Sequence, residues 1–173
     1  MIDNYIYGIT ATELLKQFVL APVNHPEIIP TALPLLLGAF VIELYFGKHT
    51  SEELGWNTSV GNAVIWVATG VTLLMTNNLS VLERNAVYGL IGFGSFIGYM
   101  DFFHRWSPTI AFEISSAGII YTLAYLLVVI IETDIPLGMK TLKAAVIFFL
   151  AANLGFKILQ MFIHSDDNGI RFN

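Results

Sequence analysis

The chain has 173 residues, 55% hydrophobic and only 12% charged, with a mean hydropathy of +0.69, whereas an ordinary soluble domain carries about 25% charged residues. That balance excludes a soluble globular domain and points to an integral membrane protein. The formal charge of -5 comes mostly from acids in connecting segments and near the ends, a distribution that favours neither nucleic-acid binding nor a polybasic lipid patch.

The chain has no cysteines, which removes disulfides, thiolate metal sites and a cysteine nucleophile. The opening stretch, MIDNYIYGITATELLK, lacks a basic segment ahead of an apolar one, so no cleavable signal peptide is expected. The expected organisation is an N-terminal interfacial amphipathic segment over 1–24, an all-α bundle of five transmembrane helices over 25–164, and a polar C-terminal tail over 165–173.

In the first segment, Thr10 and Glu13 have the spacing of a capping box, and Leu14, Leu15, Phe18 and Val19 share one helical face. A helix over Thr10 to Leu20 covers roughly 15 Å, half of a bilayer core of about 30 Å, and is too short to cross. It is expected in the interface or packed on the bundle.

Span 1, Ile28 to Phe46, follows a turn containing His25 and Pro26. Pro30 and Pro34 remove backbone donors from its first half and predict a kink. Glu43 falls in the last turn and is expected at the interface. Span 2, Ser59 to Thr76, carries Thr58, Asn62, Thr69, Thr72 and Thr76 at helical spacing. A polar stripe in lipid turns toward other helices, where each hydrogen bond contributes about 0.6 kcal/mol.

Span 3, Arg84 to Arg105, packs Gly89, Gly92, Gly94 and Gly98 into one hydrophobic run. In water these glycines weaken a helix by roughly 1 kcal/mol each relative to alanine. In lipid, Gly94-x-x-x-Gly98 permits close helix approach. The run ends in Asp101, His104 and Arg105. Asp101 and Arg105 stand one turn apart on the glycine face, which suggests either an interfacial ion pair that fixes span depth or a proton or cation site joined by Glu113 across the WSPT turn.

Span 4, Ile110 to Ile131, ends in the most lipid-like run of the chain, IIYTLAYLLVVII. Span 5, Met139 to His164, places Asn153, Lys157, Gln160 and His164 on one face. Lys157 lies about 27 Å along the axis from Met139, close enough to the far interface to snorkel there. Spans 2, 3 and 5 are expected to form the interior.

No reactive constellation emerges. His25, His49, His104 and His164 are scattered and form no helical ligand pair; Asp101-x-x-His104 supplies only two ligands. No metal or cofactor is expected. A nucleophile elbow, a P-loop and a dinucleotide fingerprint are all missing, and Ser95 reads as a small packing residue.

The reading that follows is a non-enzymatic membrane component that assembles, through the glycine face of span 3 and Thr69 with its neighbours on span 2, with copies of itself or with other membrane subunits. The alternatives are a small channel or carrier for protons, ions or a small solute using Asp101, Glu113 and the Asn62 to Thr76 stripe, or, less favoured, an intramembrane enzyme. Basic residues divide evenly between the two sides, but Lys140 and Lys143 share the shortest loop and place the N-terminus inside and the C-terminus outside. Reporter fusions at the two ends should therefore report opposite sides of the membrane; an external N-terminus overturns the assignment.

Overall fold

The computed structural model of the chain describes residues 10–48 and 55–165; His49 and the tail beyond 165 lie outside them. Among the described residues every regular element is helical. Helix α1, Ala11–Asn24, opens with the expected capping box. Thr10 donates its backbone N–H to Glu13 Oε2 at 2.6 Å, and Glu13 returns its N–H to the Thr10 hydroxyl at 3.2 Å. These bonds hold the exposed Glu13 carboxyl below the usual carboxylate range. The helix runs past the expected end, through Pro22. It packs on the bundle through Leu14, Phe18 and Ala21, with Phe18 edge-on to Phe148 at 5.8 Å. Tyr125 donates its hydroxyl to the Phe18 carbonyl at 2.7 Å.

A 3₁₀ turn at Pro26–Ile28 leads into α2, Ile29–Lys48, followed by α3, Trp56–Thr76, and α4, Val81–Phe102. Helix α4 starts earlier than Arg84 because Ser80 and Glu83 form a second capping box. The chain continues through α5, Pro108–Ile114, α6, Ala117–Glu132, and α7, Met139–Ser165.

Among the described residues, four helical stretches are both long and apolar enough to cross a membrane: Pro26–Lys48, Trp56–Thr76, Pro108–Glu132 and Met139–Ile163. Five were expected. Helix α4 spans about 33 Å, which is sufficient length, but its glycines, Tyr88, Tyr99 and terminal charges dilute its hydropathy.

The interior also differs from expectation. The Pro108–Glu132 stretch is 72% buried over its most apolar window, against 0% for Met139–Ile163. The run that reads as the most lipid-like, α6, therefore forms the centre, packed by α2, α3 and α7. A helix apolar all round suits a protein core as well as it suits lipid, and composition alone does not separate the two.

Helices α3 and α4 make the most extensive helix pair. A Cβ on Gly94 would sit 2.9 Å from Trp66 Cβ and 3.4 Å from the Ala63 carbonyl, and one on Gly98 would sit 3.4 Å from Ala63 Cβ. Gly89 and Gly92 have nothing within 4 Å of a Cβ position. Substituting Gly94→Ala should lower stability by about 1–3 kcal/mol through overpacking against the α3 backbone, while Gly92→Ala should be neutral or stabilising. Melting of both variants in mild detergent checks this; equal melting temperatures would dismiss the contact.

Candidate functional site

The expected continuous span over Ile110 to Ile131 is broken in the structure. Helix α5 stops at Ile114, Ser115 leaves the helix (φ -89°, ψ 11°), and extended Ser116 (φ -61°, ψ 147°) restarts it as α6. Serine side chains compete for backbone partners and favour helix ends. Each end leaves carbonyls or N–H groups without helical partners. Inside a packed bundle such ends need partner groups from the protein.

Those groups come from four other helices. Asn62 on α3 donates Nδ2 to the Ser115 carbonyl at 2.7 Å. The Ser115 hydroxyl donates to Asp101 Oδ2 on α4 at 2.7 Å, the Ser59 hydroxyl on α3 donates to the same oxygen, and Trp106 Nε1 donates to Asp101 Oδ1 at 2.6 Å. Asp101 is thus fully buried with both oxygens occupied. One turn into α6, Trp66 Nε1 on α3 donates to the Ile120 carbonyl at 2.6 Å.

On the other side of the break, Ser116 offers no side-chain cap to α6. Glu43 of α2 lies against that end instead, beside Gly118. A carboxyl group, as an acceptor, suits the N–H groups at the start of a helix. A Cβ on Gly118 would lie 3.1 Å from Glu43 Oε1 and 2.5 Å from Asn153 Oδ1, so the approach requires glycine there. Gln160 of α7 completes the group, donating Nε2 to Glu43 Oε2 at 2.6 Å.

The remaining candidates separate. The spacing that would put Arg105 one turn above Asp101 is lost because α4 ends at Phe102 and His104 turns the chain with φ 50°. Arg105 is exposed and forms no ion pair with Asp101; among the described residues the ion pair is His25 with Glu27. His104 stacks on Trp56, ring centroids 4.1 Å apart, with Phe112 edge-on to the same indole. Glu113 is exposed and lines an open cleft. Of the threonine stripe, Asn62 and Thr69 are buried, whereas Thr72 and Thr76 face outward. The stripe is therefore not a continuous polar path.

Ser59, Ser115, Trp106, Gly118 and Gln160 complete the site and were not singled out as site residues. The adjacent serines within an apolar span were the available signal for the break. Nothing local in the sequence assigns a partner to Glu43. Among the described residues, no group of three His, Asp or Glu side chains is placed to hold a metal ion.

Comparison with family models, curated proteins and solved structures yields no match. The site's own geometry carries the functional argument.

Asp101→Leu removes the acceptor of three donors and should cost about 3 kcal/mol or more, at roughly 1–3 kcal/mol per stranded group. Asp101→Asn should be mild, because the two serine hydroxyls can rotate to accept from the new amide while Oδ1 still accepts from Trp106. Detergent unfolding of the two variants tests this ordering; an equally stable Leu variant would show that the network contributes nothing.

Proposed function

We propose that the protein is a multi-pass membrane carrier or channel for protons, cations or a small solute, with its pathway at the α5–α6 break. The observation that carries this reading is a discontinuous spanning helix flanked by carboxyl groups from two other helices, Glu43 on one side and Asp101 on the other. Ionisable groups inside a membrane bundle are expensive to keep and mark ion or proton paths by default. Discontinuous helices are a recurrent way of building such sites.

In this reading α4 is a fifth crossing, turned so that Asp101 faces the bundle. Helix α1 lies at the membrane border against α7, with Val19 and Val23 (62% and 76% exposed) toward lipid. The cytoplasmic placement of the N-terminus carries over as part of the proposal.

A second reading, the assembly component, has a narrower basis. Gly94, Gly98 and Thr69 are taken up within the chain, which leaves the open Gly89 and Gly92 face with exposed Tyr88, Phe93 and Phe96 as the surface for a second copy or another membrane subunit.

Purified protein in liposomes should carry protons or a monovalent cation above the level of empty vesicles. Asp101→Asn and Glu43→Gln, each checked for unchanged elution and melting, should lower that flux at least about tenfold, equivalent to ~1.4 kcal/mol on a barrier. A parent without flux, or variants with unchanged flux, would sink the carrier reading. A stable oligomer by native mass measurement, without flux, would favour assembly instead.

A further inference from the structure

Next to the break, α5 and the start of α6 diverge from α7 and leave an open cleft of about 680 Å³. Its two walls carry opposite charges. Glu113 stands on α5 and Lys157 on α7, with Asn153 one turn before Lys157 on α7, while Phe112, Ile119 and Phe149 supply apolar surface. Both charged side chains are exposed, and among the described residues neither is ion-paired within 4.0 Å.

A ligand bearing one charge would meet an attractive wall and a repulsive one. A ligand bearing both signs satisfies the two walls at once, and hydrocarbon on the same molecule would cover the aromatic surface. The volume falls within the range of roughly 300–1,000 Å³ typical of small-molecule pockets. The depth suits an amphiphile, because Lys157 lies about 27 Å along α7 from Met139, at the level where a helix leaves the hydrocarbon for the head groups.

We infer that the cleft binds a zwitterionic amphiphile, with its ammonium on Glu113, its phosphate or carboxylate on Lys157 and its hydrocarbon against Phe112, Ile119 and Phe149. This does not depend on transport through the α5–α6 break, since neither Asp101 nor Glu43 lines the cleft. The same head-group chemistry is available from a bilayer lipid or from a free zwitterionic solute.

The test uses the detergent-purified full chain and native mass titration with short-chain phosphatidylethanolamine, short-chain phosphatidylglycerol and phosphoethanolamine. Glu113→Gln and Lys157→Gln should each weaken the ethanolamine lipid about tenfold, the scale of one charged contact. Only Lys157→Gln should weaken the glycerol lipid. Both positions are exposed, so the variants should elute and melt as the parent does. The exchange E113K/K157E should recover ethanolamine-lipid binding that neither single reversal retains, because a zwitterion can turn round between the swapped charges. Phosphoethanolamine bound as tightly as the ethanolamine lipid assigns the ligand to a free solute, and a lipid bound more tightly than its head group alone assigns it to the bilayer. Equal affinity of the parent for the two lipids, indifference of the ethanolamine lipid to both substitutions, or an exchange that recovers nothing would overturn the inference.

Discussion

A backbone that leaves the helical path inside a packed bundle must find its partners in protein, and the break at Ser115 and Ser116 is where this chain meets that demand. Asn62 answers it at the Ser115 carbonyl, Asp101 holds the Ser115 hydroxyl, Trp66 reaches the Ile120 carbonyl one turn on, and Glu43, tied to Gln160, lies against Gly118. Much of the bundle can be understood as the arrangement that delivers these side chains to one place. These groups converge on the end of α5 and the first turns of α6, the central helix.

The two sides of the break are held differently. The α5 end rests on a shared acceptor: Asp101 collects two serine hydroxyls and an indole N–H, and so ties α3, α4, α5 and the loop at Trp106 to one carboxyl group. Hydrogen bonds of this kind are stronger in a low-dielectric interior and reinforce one another, so the loss of one member is felt by the rest. The α6 start is met from another helix altogether, by a carboxyl group that Gln160 positions beside Gly118. Glu43 reaches it only because residue 118 has no side chain.

Close packing of α3 on α4 supports the same end. Ala63, Trp66, Gly94 and Gly98 let the two helices approach closely, which holds Ser59 and Asn62 of α3 beside Asp101 of α4. Small residues drive such contacts in lipid, where apolar surface alone gives no preference for helix over hydrocarbon. The glycine stripe and the acidic residue at its end thus belong to one device: the stripe sets the distance, and the carboxyl group uses it.

The membrane class, the helical character, the Thr10–Glu13 capping box and the inward turn of Gly94, Gly98, Asn62 and Thr69 were legible in the sequence, because each rests on composition or on spacing within one helix. Which helix occupies the centre was not, since an apolar surface packs equally well on lipid or on protein. Spacing alone also suggested Arg105 for Asp101, a pairing that the helix end at Phe102 removes. Ser59 and Ser115 became its partners, and Gly118 and Gln160 neighbours of Glu43, only through contacts between separate helices, whose geometry depends on how they pack, while Trp106 joins from the loop just past the helix end.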